Sequence, residues 1–183
     1  MVFAMPSFFA LLRGVNVGKA KRVPMADLRN LLVGLGYRET KTLLNSGNAV
    51  FRAAGTSASS HAKAISAAIL EHLSVEVPVI VKSAKQFSAI VNENPFSTTA
   101  SDHSRVLVVF TQDEENLLGL KKIEALVAPP EAFAVGKYAA YLHCPNGILQ
   151  SKAGEALLGK LGKACTTRNW ATTLKLQPLA GAA

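Results

Sequence analysis

The order of the predicted elements constrains the fold most, because one pattern of strands and helices opens the chain and largely repeats. The first set runs strand, helix, strand, strand, helix, strand, over residues 7–12, 23–36, 39–45, 49–53, 56–73 and 77–82. Apolar residues at helical spacing predict the helices, and short apolar runs bounded by turn residues predict the strands. This β-α-β-β-α-β order is that of a ferredoxin-like unit.

The rest of the chain repeats most of this order after a connecting helix over residues 83–96. The predicted elements are a strand, a helix, two strands, a helix and a last helix, over residues 105–110, 114–127, 131–136, 138–144, 151–162 and 166–179. Thr166 or Thr167 is expected to cap the last helix. The sequence therefore predicts an α+β fold of two tandem ferredoxin-like (βαββαβ-type) subdomains with antiparallel sheets. The first covers residues 1–83, and the second covers 84–183 with an extra C-terminal helix.

The distribution of charge gives the chain two basic ends and an acidic middle. The net charge of +8 at pH 7 consists of +6 over residues 1–55, −3 over 56–134 and +5 over 135–183. If the fold brings the two ends together, they form one electropositive surface that would suit nucleic acid or a small anion. A solvated basic surface that serves solubility accounts for the same charge.

Composition and the opening residues predict the cellular location of the protein. Hydrophobic residues make up 49% of the 183 residues, which is enough for a sizeable core. No apolar stretch approaches the roughly 20 residues that a membrane-spanning helix needs. The opening "MVFAMPSFFALL" lacks a basic n-region and is interrupted by Pro6, so we expect a short disordered lead and not a signal peptide. With two cysteines, Cys144 and Cys165, the sequence predicts a cytoplasmic protein with no membrane partner.

The stretch "RGVNVGKAKR", residues 13–22, has two glycines, four cations and no acid. In the predicted topology it lies beside the hairpin "NSGN" and a helix N-terminus, whose free N–H groups favour anions. Glycine allows close backbone approach, and arginine can pair with a phosphate or carboxylate through two hydrogen bonds. We therefore predict a binding site for a small phosphorylated or carboxylated ligand. Its candidate residues are Arg13, Gly14, Asn16, Gly18, Ser46, Gly47 and Asn48.

The sequence lacks the usual metal-binding motifs, and its S-x-x-K match at residues 60–63 has no S-D-N or K-T-G partner and is interpreted as a helix cap. The histidines are scattered and no C-x-x-C or H-E-x-x-H occurs, so neither a metal nor a cofactor is predicted. The basic loop does not match the P-loop or the dinucleotide-binding pattern. No acidic pair lies near the basic motifs, so acid/base hydrolysis and magnesium-dependent phosphoryl transfer lack their carboxylates. Whether the protein is an enzyme stays open.

Five ordered motifs resemble domain-of-unknown-function family 1697 over nearly the whole chain: "LLRGVNVGKAKRVPMADLRNLL", "NSGNAVF", "ENPF", "LHCPNGILQSK" and "CTTRNWATTLKL". The resemblance implies a cytoplasmic bacterial protein of two α+β subdomains with no assigned activity. The family pattern falls on Arg13, Gly14, Asn16, Gly18, Pro24, Met25, Ser46, Gly47, Asn48, Pro145, Asn146, Gly147, Ser151, Lys152, Thr167, Arg168, Asn169 and Trp170. Lys19 and Ala171 depart from it, standing where many relatives have glycine and asparagine.

The second half of the chain adds three ligand candidates, Lys152, Arg168 and Asn169. A helix that opens with Thr, Arg and Asn would offer a second anion-binding end. Lys152 near a helix start opposes the helix dipole, which hints that it faces a partner. The structural alternative for "TTRNW" is a capped helix start that Trp170 anchors in the core.

Three functions stay open at this point, and the oligomeric state is not predicted. A small anionic ligand is favoured narrowly, because the distinctive residues are short polar ones at turns. A nucleic-acid-binding module is favoured by the basic ends, although Phe8, Phe9 and Phe51 suit core packing as well as base stacking. A structural or interaction protein without a ligand is the third.

Overall fold

The computed structural model describes residues 5–55 and 57–181, so the first four residues of the predicted lead lie outside it. The chain divides into two compact units, Met1–Phe87 with Leu176–Ala183, and Ser88–Lys175. Each unit contains one four-stranded sheet. The predicted subdomain ranges, 1–83 and 84–183, stay a prediction.

The first unit follows the predicted order with β1 (Ser7–Leu12), α1 (Met25–Gly34), β2 (Arg38–Leu43), β3 (Asn48–Arg52), α2 (Ala58–Leu73) and β4 (Val79–Ser83). Its strands pair antiparallel in the order β2-β3-β1-β4, which makes β1 a central strand. Ser57 caps α2, because its hydroxyl oxygen accepts a hydrogen bond from the Ser60 N–H at 3.2 Å.

Strand β1 is apolar from Phe8 to Leu12 because both faces of the sheet are buried at this strand. Phe8 and Leu12 point to one face, where they share a core cluster with Leu32 of α1. Phe9 points to the opposite face and stacks on Phe87, with ring centroids 3.9 Å apart. Successive residues of a strand face opposite sides, so burial on both sides requires a continuous apolar run.

The second unit repeats the order of the first. Helix α3 (Ala84–Glu93) contains the boundary between the units, and the following elements are β5 (Val106–Thr111), α4 (Glu114–Gly119), β6 (Ala132–Val135), β7 (Ala139–His143), α5 (Lys152–Leu158), β8 (Cys165–Asn169) and α6 (Trp170–Leu176). Short 3-10 helices cover His103–Arg105, Leu120–Leu126, Ile148–Gln150 and Gln177–Ala180. The strands pair antiparallel in the order β6-β7-β5-β8. The predicted fold of two tandem βαββαβ subdomains is confirmed.

The prediction of one helix over residues 166–179 is wrong at its start. Residues Cys165–Asn169 form the edge strand β8, in which Thr167 pairs with Val109 of β5. The helix begins only at Trp170, and its cap is Asn169, whose Oδ1 accepts a hydrogen bond from the Thr172 N–H at 2.8 Å. Threonine favours strands as well as helix caps, and pairing with a distant strand decides between the two.

The predicted helix over residues 114–127 is also irregular. It is α-helical over Glu114–Gly119 and continues as a 3-10 helix over Leu120–Leu126. Gly119 lies where the geometry changes, and glycine is unfavourable inside an α-helix because it loses the most backbone freedom.

The segment after α6 packs on the first unit. The Ser7 hydroxyl donates a hydrogen bond to the Ala180 carbonyl, and the Lys41 ammonium donates one to the Leu179 carbonyl, each at 3.2 Å. Leu176 is completely buried. Within the described ranges, no helix has both the length and the apolar character that crossing a bilayer requires.

Candidate anion-binding site

The basic loop 13–22 begins where β1 ends and lies against the hairpin that joins β2 to β3. The Leu12 N–H donates a hydrogen bond to the Gly47 carbonyl at 2.8 Å, and the Arg13 N–H donates one to the Pro78 carbonyl at 2.9 Å. The antiparallel topology puts the end of β1 beside the start of β3, pairing Leu11 with Asn48. The structure therefore brings the loop and the hairpin together, as the sequence predicted.

Asn16 ties the loop to its surroundings with its side-chain amide. Its Nδ2 donates hydrogen bonds to the carbonyls of Val23 and Asn45, at 2.8 and 2.7 Å. Its Oδ1 accepts one from the Val23 N–H at 2.9 Å. Asn16 has φ +57, a left-handed conformation that asparagine tolerates better than most residues. The side-chain amide of Asn16, a candidate ligand-binding residue, is thus used in holding the loop.

The hairpin "NSGN" is built from close packing and internal hydrogen bonds. Gly47 has φ +82, and a Cβ there would lie 2.7 Å from both Leu12 Cβ and Val15 Cγ2, so only glycine fits. Asn48 is completely buried, and its Nδ2 donates to the Leu43 carbonyl at 2.8 Å and to Ser46 Oγ at 2.9 Å. These contacts explain the hairpin sequence by structure alone, and a ligand is not needed to account for it.

Three of the four cations of the loop are exposed. Lys19, Lys21 and Arg22 are exposed, and Arg13 at the base of the loop is half-buried. The loop closes on itself, because the Asn16 N–H donates to the Lys21 carbonyl at 3.0 Å. Gly14 and Gly18 have φ values of +65 and +64, which suits the tight curvature. The exposed cations therefore sit on a loop with a fixed base.

The three remaining candidates, Lys152, Arg168 and Asn169, belong to the second unit. Lys152 is exposed at the first position of α5, directly after Ser151, whose Oγ accepts a hydrogen bond from the Gly154 N–H at 2.9 Å. Arg168 lies on β8, and Asn169 is the helix cap described above.

Arg168 is a buried cation, with 7% of its surface exposed. Its Nη1 donates hydrogen bonds to Thr166 Oγ1 at 2.9 Å and to the Thr167 carbonyl at 2.7 Å. Burial disfavours the charged form and lowers the pKa of Arg168 to about 10. The guanidinium is thus held among the residues of its own strand.

Two cavities of useful size are formed by other residues. One of about 610 Å³ lies between α1 and α2, and one of about 360 Å³ is bordered by β5, α4 and Cys165. Neither is lined by a residue of the basic loop or of the hairpin. Sequence reasoning missed the larger cavity, although a run of small residues at helical spacing, Ala64, Ala67 and Ala68, signals a groove beside α2.

The two cysteines and the possible metal-ligating side chains lie as follows in the part of the chain that the structure describes. No group of three or more His, Cys, Asp and Glu side chains there could hold a metal ion. Cys144 and Cys165 are both buried free thiols. Burial raises the pKa of Cys144, so its thiol is the stable form at neutral pH.

Comparison with known proteins gives a family and a fold. The family model described as "Protein of unknown function (DUF1697)" matches residues 5–141, which include the loop, the hairpin and "ENPF" and end before "LHCPNGILQSK" and "CTTRNWATTLKL". A solved structure, the conserved bacterial protein SP0830 from Streptococcus pneumoniae, has a TM-score of 0.81 at 23% identity. The likeness covers 97% of this chain and 99% of that chain, and at this identity it shows the fold alone. No curated protein matches the chain.

Proposed function

We propose that the chain, which belongs to the protein family of unknown function DUF1697, binds an anionic ligand at its basic loop 13–22. The observation that carries the proposal is the set of three hydrogen bonds made by the Asn16 amide. They fix the base of a loop whose exposed side chains include Lys19, Lys21 and Arg22. A loop held in one conformation loses little entropy when it binds, and that favours a recognition role.

The proposal gives the hairpin 45–48 a supporting role. Asn16 and Asn48 use their amides within the protein, and Gly47 is required by packing. Ser46 is exposed and accepts a hydrogen bond from Asn48. The groups that reach a ligand are then the cations of the loop, with Arg13 at its base.

The exposure of these cations favours a phosphate-bearing chain over an enclosed small molecule. Small-molecule sites bury most of their ligand in a concave pocket, whereas Lys19, Lys21 and Arg22 are exposed. Lysine and arginine on an open surface suit the phosphates of a nucleic acid, which bind with release of counterions. Base stacking on the sheet is not part of this proposal, because Phe8, Phe9 and Phe51 are at most 1% exposed. A phosphorylated or carboxylated small molecule is the second candidate.

The three candidate residues of the second unit are not assigned to the ligand in this proposal. Lys152 is exposed at the start of α5 and is not part of the proposed loop site. Arg168 and Asn169 serve their own strand and helix, so we expect them to act on stability. We also propose that the protein is cytoplasmic, as the sequence predicts.

Fluorescence anisotropy and calorimetry test the proposal with four probes: single-stranded RNA, single-stranded DNA, ATP and citrate. The test variant carries Lys19→Gln, Lys21→Gln and Arg22→Gln together. We expect this variant to bind at least about tenfold more weakly, and the slope of log affinity against log salt to decrease by about one for each cation that contacts a phosphate.

The matched control removes the same charge from exposed lysines of the second unit, through Lys121→Gln, Lys122→Gln and Lys163→Gln. Binding of the strands that collapses between about 50 and about 200 mM salt identifies a polyanion. Saturable binding of ATP or citrate that persists at the higher salt identifies a small ligand at the same loop. Equal affinities for the loop variant and the wild type, or equal losses in the two triple variants, would overturn the proposal.

A further inference from the structure

The cavity between α1 and α2 has the size and character of a ligand site. Its volume of about 610 Å³ lies in the range of roughly 300–1,000 Å³ that small-molecule sites occupy. Leu31 of α1 and Leu35, which directly follows the helix, contribute apolar walls, and both also pack against the core of the first unit. A firm core beneath the groove keeps its shape.

Small residues on the two helices create the space. Ala64, Ala67 and Ala68 line the cavity from α2, and Gly34 lines it from α1. A Cβ built on Gly34 would meet no heavy atom within 4 Å, so the glycine is not forced by packing. Larger side chains at these four positions would fill the groove.

The charged groups of the groove lie at one end of it. Strand β4 begins where β1 ends, with Val79 paired to Leu12, so the last turn of α2 and the first turn of α1 lie at the same edge of the sheet. Asp27 in the first turn of α1 and Glu71 near the end of α2 both line the groove. The two carboxylates therefore mark one end, while Gly34 and Ala64 mark the other.

The charge of the groove is opposite to that of the protein. The whole chain carries +8, yet the lining of the groove, which lies within the described residues, contains no lysine or arginine. His72 lines the acidic end, and its Nδ1 donates a hydrogen bond to the Ala68 carbonyl at 3.0 Å. Apart from Asn30, the rest of the lining is apolar, so an occupant that complements the groove offers positive charge at one end and mostly apolar surface along the rest.

We propose that this groove binds a small organic cation, an amine with an apolar body, whose ammonium group lies between Asp27 and Glu71. A basic amphipathic helix would carry cations along its whole length, whereas the groove offers carboxylates only at one end. The proposal concerns residues other than the basic loop, so it stands or falls independently of the proposed function.

Protein-observed NMR with a panel of primary amines tests the proposal. The panel runs from cyclohexylmethylamine to naphthylmethylamine, and each amine has its alcohol and carboxylate counterparts as matched probes. We expect the amines to shift backbone signals within residues 27–35 and 64–73, with the alcohols weaker and the carboxylates silent. The double variant Asp27→Asn with Glu71→Gln should weaken amine binding about fivefold, as two partly solvated ion pairs are removed.

Steric filling gives a second readout that does not depend on charge. Ala67→Phe should abolish the amine shifts, because the ring occupies the groove. Leu70→Phe is the matched control, since Leu70 is half exposed on the same helix and does not line the cavity. The charge control is Glu114→Gln with Glu124→Gln, both on exposed residues of the second unit.

Three results would overturn the proposal. The first is that no amine shifts the signals of the groove. The second is that amine, alcohol and carboxylate bind alike, which would show that the groove is an apolar surface with no preference for a cation. The third is that a basic amphipathic peptide shifts these signals while the amines do not, which would assign the groove to a protein partner.

Discussion

The Tyr37 hydroxyl and Nδ1 of His61 lie 2.8 Å apart inside a cluster of aromatic rings in the first unit. The His61 ring makes edge-on contacts with Phe8 and Phe51, at centroid distances of 4.6 and 5.7 Å. Its Nε2 is buried and has no hydrogen-bond partner among the residues that the structure describes. Burial lowers the pKa of His61 from its usual 6.5, so the charged imidazole is disfavoured in the folded protein.

We expect the protein to lose stability in mild acid because of His61. Between the lowered pKa of the folded state and the usual 6.5 of the unfolded chain, the unfolded state binds the proton more readily. The neutral His61 side chain makes its full contribution to the free energy of unfolding above about pH 6.5. This contribution is lost as the pH falls toward the lowered pKa of the folded state. Urea denaturation at about pH 7.5 and about pH 5.5 measures the loss.

The pH effect should disappear in His61→Phe, whatever the stability of that variant at neutral pH. His72→Gln is the control, because His72 is exposed and should leave the effect unchanged. A loss in acid that is as large in His61→Phe as in the wild type would show that another group is responsible.

Asn16→Ala should destabilise the protein by about 2 kcal/mol, because three hydrogen bonds are lost and buried backbone groups are left unpaired. Asn16→Gly keeps the left-handed backbone accessible and should cost about 1 kcal/mol less, since alanine is strained at φ +57. Urea denaturation gives both values, and hydrogen exchange should show faster exchange at Val23. Slow exchange at Val23 in Asn16→Ala would contradict the assigned role of the amide.

Gly47→Ala and Gly18→Ala separate packing from backbone strain. Both glycines have positive φ, but a Cβ on Gly47 would meet Leu12 and Val15, whereas a Cβ on Gly18 would meet nothing within 4 Å. We expect a loss of about 3 kcal/mol or more for Gly47→Ala, where overpacking adds to strain, and about 1 kcal/mol for Gly18→Ala. Thermal and urea denaturation compare the two. Equal losses would mean that the hairpin relaxes around the added methyl group.

Substitutions of Ser151 and Lys152, neighbours at the start of α5, should change the stability of the protein in opposite directions. Ser151→Ala removes the cap on the Gly154 N–H and should cost about 1 kcal/mol. Lys152→Glu replaces a cation at the positive end of the helix and should raise stability by about 0.5 kcal/mol. Denaturation of the two single variants and the double variant checks both signs. A loss of stability in Lys152→Glu would show that the lysine serves the fold.

The fold could be predicted from the sequence where local pattern and burial agree. Continuous apolar runs such as β1 mark strands buried on both faces, and the apolar spacing of α2 marks a helix on one face of a sheet. The start of β8 could not be predicted, because "CTTRN" suits a helix cap as well as a strand. Its pairing with β5, far away in the chain, decides the outcome.

The candidate site was predictable in position and not in detail. The antiparallel order of the first sheet places the loop beside the hairpin without any knowledge of side chains. The use of the Asn16 amide could not be foreseen, because it depends on the left-handed backbone of that residue and on where the Val23 and Asn45 carbonyls point. The groove between α1 and α2 was missed because it depends on the directions of the two helices in the assembled sheet, which place Asp27 and Glu71 at the same end.

The return of the chain end to the first unit bears on the order of events during synthesis. Strands β1 to β4 leave the ribosome first, yet the carbonyls of Leu179 and Ala180 that Lys41 and Ser7 contact arrive only after the whole second unit has been translated. Domains generally fold as units in the order of their synthesis. Here the unit that starts first is the last to be finished, so a nascent chain stalled within the second unit exposes a first unit that still lacks its closing segment.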